Sequence, residues 1–406
     1  MVTLKSVMEQ HAPAYFAAFG HRMPRDHIHA VNRILACRTE AAGRIFYQCP
    51  RCDDWQMAPA SCGHRACNAC GHEKARLWQQ RQEARLLPVG YLLVTFTIPA
   101  EFRSLFRSAQ ELCYDVLLKT AAAVLQEIAA DPAHLGGEIG MTGVLHTWTR
   151  DLRYHPHIHF IIPAGAWKDG RWIDLRQTAE GEDFFLPVKV LSTVMRNRML
   201  KALPAVLTDA QRRALPAGTW RKRWNVDVRR AGKGDTALGY LARYVQKSAI
   251  DVSRINHSDA AGVTIAWTER KTGIKRQQKL TGQEFMRRFL QHVLPRGFTR
   301  VRHFGYLSAA ARRTYTAVQA ALAGRALQPV TAPATSPAPL PYGTGVPADN
   351  EPEPAPLPHN CCPRCRIKMD FIEYWHANRA GRGPPGYIKN QQPGQAVQCR
   401  LHLPSP

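Results

Sequence analysis

The sequence predicts an α+β fold built on a central antiparallel sheet, preceded by a small zinc-binding domain. Three observations carry this. Segments read in the order strand, long helix, hairpin, helix, strand, helix, hairpin, helix, the signature of helices packed on an antiparallel sheet. Three histidines alternate through the apolar, β-branched run Tyr154-His155-Pro156-His157-Ile158-His159-Phe160-Ile161-Ile162-Pro163. Two C-x-x-C pairs stand in the first part of the chain, Cys49-Pro50-Arg51-Cys52 and Cys67-Asn68-Ala69-Cys70.

Each element has its own signal. Residues 92–98 are an unbroken apolar and β-branched run closed by Pro99, which reads as a buried strand. Over 101–130 the apolar positions switch to helical spacing, and Cys113 falls on that stripe as a core residue. Residues 143–148 and 154–163 read as a hairpin turning at Asp151 and Leu152. A loop-rich insertion follows, then a helix over 190–203, a strand over 224–228 and a helix over 236–248. A second hairpin spans 263–267 and 275–280. It leads into a helix from Thr281, whose Thr281 and Glu284 have the spacing of a capping box. From about 327 to 358 the composition turns to Pro, Ala and Thr, as in a linker. The expected domains are therefore 1–88 for zinc, 89–326 for the sheet domain, 327–358 as linker and 359–406 as a short Cys/His tail.

Charge narrows the partner. Lys and Arg number 55 against 31 Asp and Glu, a formal balance of +24 over 406 residues. The cations cluster, for example at Arg221-Lys222-Arg223 and between Arg296 and Arg302. Clustered cations point to a polyphosphate, meaning nucleic acid. No apolar run is long enough to span a bilayer, and Met1 to Lys5 lacks the apolar core of a signal peptide. An intracellular protein is expected, in which the 11 cysteines are reduced and available as metal ligands.

The two C-x-x-C pairs suit a tetrahedral zinc in which each pair supplies one knuckle, so Cys49, Cys52, Cys67 and Cys70 are expected to share one ion. Cys37, Cys62, His64 and His72 are nearby alternatives. This region could also present Arg51, Arg65 and Lys74 to DNA. In the tail, Cys362 and Cys365, with Cys399 and His402, outline a second possible site.

The histidine run points to another metal. Residues i, i+2 and i+4 of a strand share a face, so His155, His157 and His159 point the same way. Imidazoles so close together need partners for their nitrogens, and a divalent cation is one. Two histidines hold a metal weakly. A turn centred between Asp151 and Leu152 sets His146 opposite His157 on the same face, which makes His146 the expected third ligand and His155 its rival.

Further along, Tyr240 and Tyr244 stand four residues apart in a helical segment and so lie on one helix face. Together, His157-Ile158-His159 and the downstream tyrosine pair resemble the two-tyrosine HUH transposases of rolling-circle bacterial insertion sequences, the IS ninety-one family, in which U is a hydrophobic residue. The resemblance extends through Cys37-Arg38-Thr39, Ser61-Cys62 with Cys67 and Cys70, Leu145-His146-Thr147-Trp148, Tyr240 to Val245 and His292 to Gly305. It covers most of residues 20–312. Ala66 stands where the family's usual histidine precedes the cysteine matching Cys67, and the Pro-rich linker is a second departure.

The resemblance implies an HUH nuclease domain that nicks and joins single-stranded DNA at element ends. A tyrosine hydroxyl attacks the scissile phosphodiester, the 5′ end becomes a phosphotyrosine and a 3′-OH is released, so strand transfer needs no ATP. Tyr240 and Tyr244 would be the nucleophiles, with magnesium or manganese as the catalytic ion and zinc as the structural one. Arg221, Lys222, Arg223, Arg243 and Lys247 are the candidate DNA contacts. The expected partner is DNA, at element ends and target, with no membrane, and the expected location is the cytoplasm at the nucleoid. A replication initiator or relaxase would use the same chemistry; a zinc-dependent regulator with a decayed nuclease is the non-enzymatic alternative.

Overall fold

The computed structural model describes residues 2–83, 85–177, 183–233, 248–269, 272–323 and 360–376. The helix expected over 236–248, with Tyr240, Arg243, Tyr244 and Lys247, falls almost wholly outside them, as do Cys399 and His402. The chain forms two compact units, Met1–Val31 with Arg65–Val330, and Asn32–His64 with Thr331–Pro406.

The first unit is organised by a five-stranded antiparallel sheet. Its strands, in spatial order, are Asn225–Lys233, Gly90–Thr97, Tyr154–Pro163, Met141–Trp148 and Val301–Phe304. The α+β expectation thus holds, and the histidine hairpin lies inside the sheet. One face is apolar for a simple reason of period. Leu92, Val94 and Phe96 alternate on one strand, and Ile158, Phe160 and Ile162 on its neighbour. They pack with Leu117, Leu118, Leu125 and Met195 from the helices Gln110–Ala130 and Val188–Ala202. Cys113 is fully buried in this core, as expected, and burial pushes its thiol up to about 12. The stretch expected as one helix over 101–130 is broken. Ala109 has φ −132° and ψ 53°, which ends Arg103–Ser108 and starts Gln110–Ala130.

A second sheet of the unit pairs Ile255–Asp259, Gly262–Thr268 and Lys275–Leu280. The helix Gly282–Leu290 follows, capped by Thr281, whose hydroxyl accepts from the Glu284 backbone N–H at 3.2 Å. Only this half of the expected capping box forms. The Glu284 carboxylate turns instead to Arg287 and Arg288, at 2.6 and 2.7 Å, and these hydrogen bonds hold it down at about 2.

In the second unit a three-stranded antiparallel sheet has Arg44–Gln48 at its centre, between Trp55–Pro59 and Asp370–Trp375. The tail strand is seated tightly. Gly43, at φ +104°, leaves no room for a Cβ, which would lie 2.6 Å from the Trp375 carbonyl oxygen, and the Tyr374 hydroxyl donates to the Ala42 carbonyl at 2.7 Å. Trp375 meets Phe46 edge to face, with ring centroids 5.4 Å apart.

Candidate metal centres and the family of the chain

The hairpin register is the one the turn position predicts. His146 pairs with His157 and Val144 with His159, while the register shifts only next to the turn, between His146 and Trp148. Leu152 takes the left-handed conformation there, at φ 61°, with its side chain fully buried. Across the sheet, Thr95 pairs with His159 and Thr97 with His157. His146, His157 and His159 therefore share the face opposite the main helical core, and their ring nitrogens lie within 4.8 Å of one another.

Supporting contacts orient the rings. His157 Nδ1 donates to the His155 carbonyl at 2.7 Å, which fixes its tautomer and puts the lone pair on Nε2. His159 Nδ1 lies 2.9 Å from Thr95 Oγ1. His146 stacks on Trp148 at 4.9 Å between centroids and 22° between planes. The Arg300 guanidinium lies over that same indole at 4.8 Å, and its Nε donates to the Leu145 carbonyl at 2.9 Å. Burial, with Arg65 nearby, pulls the Arg300 guanidinium down to about 9. Burial also lowers His157 to about 4, helped by Arg300 and opposed by the hydrogen bond to His155.

The donor set fits a divalent cation. Nitrogens ligating one ion at ~2.1 Å each lie roughly 3 to 4 Å apart, so the three rings need only small rotations to meet it. Burial favours neutral His157, the protonation state in which an imidazole binds metal. All three ligands are uncharged, so a bound ion would keep its full double charge for an anionic substrate. The rival ligand His155 is engaged elsewhere. Arg103 Nη2 lies 2.8 Å from its Nδ1, and burial followed by Arg103 lowers it to about 4.

Sequence reasoning did not single out Thr95, Arg103 and Arg300 as supports. The role of Thr95 depends on which strand pairs with the histidines, a long-range choice that local spacing does not encode. Tyr154, next to the histidine run, is no candidate nucleophile: its hydroxyl is hydrogen-bonded to that of Tyr114 in the core, and burial raises both phenols. His292 is buried between Thr147 Oγ1 and the Leu152 carbonyl, each 3.1 Å away, and braces the turn of the hairpin.

The cysteines do not divide as expected. Cys49 and Cys52 gather with Cys362 and Cys365, all four sulfurs within 4.8 Å. A tetrahedral site is filled by four ligands, so this set has no place for Cys67 and Cys70. The expected grouping of Cys49 and Cys52 with Cys67 and Cys70 is thus not the one their sulfurs make, and the expected tail partners Cys399 and His402 lie outside the described residues. Cys37 and Cys62 are buried in the second unit, where Arg33 donates to the Cys62 carbonyl. Cys67 and Cys70 are buried in the first, at the start of the helix Asn68–Glu83.

Among the basic residues, Arg221 and Arg223 are exposed, and Lys222 makes a 3.0 Å ion pair with Glu101. Arg51 is exposed too. Arg65 is not a free DNA contact: it donates to the carbonyls of Phe298 at 2.7 Å and Leu294 at 2.9 Å, and also to that of Pro295. The side chains of His72 and Lys74 lie outside the described residues. No helix among the described residues is long and apolar enough to cross a membrane.

Two family profiles match the chain. One, described as a transposase zinc-binding domain, covers residues 7–98, and the other, a putative transposase, covers 140–314. The chain is 33% identical over 332 residues to the putative transposase y4qJ of Sinorhizobium fredii, spanning 77% of this chain and 81% of that protein. It is 28% identical over 297 residues to the transposase for insertion sequence element IS801 of Pseudomonas savastanoi pv. phaseolicola, spanning 69% of this chain and 70% of that one. No solved structure matches significantly. The zinc-binding match at the cysteine-rich front, the transposase match over the histidine hairpin and the extent of the shared sequence agree, and the chain belongs to the IS ninety-one family of transposases, enzymes that act on DNA.

Proposed function

We propose that this transposase nicks and rejoins single-stranded DNA at the ends of its element through a 5′-phosphotyrosine intermediate, as a rolling-circle HUH enzyme. The observation that carries the reading is the gathering of His146, His157 and His159 on one sheet face. These three would hold a magnesium or manganese ion. Three imidazoles leave its remaining positions to water and phosphate oxygens, the ligands that hard cations prefer. When bound, the ion supplies Lewis-acid polarisation of the scissile phosphate.

The protein's own groups do the rest. The hydroxyl of Tyr240 or Tyr244 attacks phosphorus. A new P–O bond to tyrosine forms as the bond to the 3′ oxygen breaks, and the proton ends on the released 3′-OH. Because the ester retains the bond energy, a 3′-OH can reverse the step and join a new strand. Arg221, Lys222, Arg223, Arg243 and Lys247 bind backbone phosphates, which makes affinity fall steeply with salt.

The zinc-binding match spans Cys37, Cys49, Cys52, Cys62, Cys67 and Cys70, and thiols of this cysteine-rich stretch are proposed to hold that domain's structural zinc. Domain limits of 1–88, 89–326, 327–358 and 359–406, and a place at the nucleoid, complete the proposal.

The test is a nicking assay on labelled single-stranded DNA carrying the element's end, with magnesium or manganese. Wild type should yield a covalent protein–DNA adduct. His157→Ala should yield none while still binding DNA, since affinity comes from Lys and Arg. Normal nicking by His157→Ala would refute the assignment.

A further inference from the structure

We infer that Cys49, Cys52, Cys362 and Cys365 bind one zinc ion, in a ribbon whose two halves stand 310 residues apart along the chain. The zinc-binding match ends at residue 98 and so contains only half of this site. The inference does not depend on the nuclease chemistry proposed above.

The two halves are copies of one local structure. Both read Cys-Pro-Arg-Cys, at Cys49-Pro50-Arg51-Cys52 and Cys362-Pro363-Arg364-Cys365. In the first, the Cys49 N–H donates to the Asp54 carbonyl at 2.8 Å and the Asp53 N–H donates to the Cys49 carbonyl at 3.0 Å. In the second, the Cys362 N–H donates to the Ile367 carbonyl at 2.9 Å and the Arg366 N–H donates to the Cys362 carbonyl at 2.9 Å. The residue after each second cysteine is left-handed, Asp53 at φ 56° and Arg366 at φ 55°. Neither is glycine, so each turn adopts a conformation that L-residues disfavour. Two identical, locally costly turns facing each other are what a shared ion would require. In the tail knuckle the Cys365 N–H also points at Cys362 Sγ, at 3.4 Å, a contact that stabilises thiolate.

The distances suit zinc. Cys52 Sγ and Cys362 Sγ are 3.6 Å apart. Sulfurs at ~2.3 Å from a tetrahedral ion lie about 3.8 Å from each other. Both first cysteines, Cys49 and Cys362, are fully buried with Met369, and Tyr47 and Ile367 pack against them. Each knuckle is also anchored by the sheet, because the strand leading into the first, Arg44–Gln48, pairs with the strand following the second, Asp370–Trp375. The ion would thus staple the C-terminal segment to the front of the protein and convert everything between them into a closed loop. A chain shortened before Cys362 would lose the front zinc ribbon although every N-terminal cysteine remained.

Metal analysis of the full-length protein tests this. Cys362→Ser with Cys365→Ser should remove one zinc per chain relative to wild type, and Cys113→Ser should remove none. Undiminished zinc in the double variant would overturn the site. Loss of all zinc would signal a variant that fails to fold, and a second arm on otherwise wild-type protein then decides. A protease site is inserted between residues 340 and 345 and cut. The tail fragment should stay with the body until a chelator strips the zinc, then separate. Separation before chelation, or retention after all zinc is gone, would overturn the inference.

Discussion

His146 and His157 face each other across the central hairpin, their rings edge to face with centroids 5.3 Å apart. This pairing, with His159 next along the strand, defines the third ligand of the proposed metal centre. His155 is one of the three alternating histidines, but Arg103 is on its Nδ1 and its carbonyl serves His157. His146→Ala should therefore abolish nicking, and His155→Ala should retain most of it. Quantifying the covalent adduct for the two variants checks this; the opposite ranking would make His155 the ligand.

Thr95 should tune the ion without touching it. When His159 binds metal through Nε2, its Nδ1–H donates to Thr95 Oγ1, 2.9 Å away. Losing such a supporting contact typically weakens metal binding by about 10- to 100-fold. Thr95→Val keeps the shape and removes the oxygen. A manganese titration of nicking should show the half-saturating concentration rise about 10-fold or more, whereas Thr95→Ser should stay near wild type.

Gly143 controls how the hairpin packs. A Cβ there would lie 2.7 Å from Cε1 and 3.1 Å from Cδ1 of Phe160, a fully buried ring on the paired strand. Overpacking of this kind costs about 1–3 kcal/mol. Gly143→Ala should lower the unfolding midpoint in urea and reduce nicking, because the same two strands carry the ligands. An unchanged midpoint would show that Phe160 can shift freely.

Acid should destabilise the metal-free protein in a particular window. Burial lowers His155 and His157 to about 4 and His292 to about 3, against 6.5 for a free ring. Below pH 6.5 the unfolded chain takes up protons that the folded chain refuses, so stability is full above that pH and falls as pH drops toward 4. Glu284, held at about 2, contributes stability that is lost only below its ordinary value of 4.5. The interval from pH 6.5 to 4.5 thus reports the histidines. The Tm should fall across it, and His155→Gln should make the fall shallower.

The histidine centre was legible because a strand has a period of two and a turn sets a register. Once Asp151 and Leu152 were placed at the tip, His146 had to face His157. The local bulge between His146 and Trp148 did not disturb it, since it lies on the turn side of the pair. The cysteines were not legible in the same way. One C-x-x-C knuckle can pair with any other, and sequence proximity favoured Cys67 and Cys70 over partners beyond a Pro-rich stretch. What selects Cys362 and Cys365 is the pairing of strand Arg44–Gln48 with Asp370–Trp375, a long-range contact with no local signal. Arg65 misled for a related reason: an arginine written beside cysteines looks like a phosphate contact, but three backbone carbonyls claim it.

The two tyrosines are expected to be distinguishable. Four residues apart in a helix, Tyr240 and Tyr244 would present both hydroxyls on one face at different heights, so they cannot meet one phosphate in the same geometry. Reaction rates depend steeply on such alignment. Phe at either position removes only the hydroxyl and should preserve folding. One single variant should then lose the first cut, and the other should cut once yet fail to complete transposition. The double variant should form no covalent adduct. Mass spectrometry of adducts trapped on labelled single-stranded DNA would identify the attached residue for each protein. An adduct formed by the double Phe variant, or a 5′-phosphate found on serine, would remove the tyrosine mechanism.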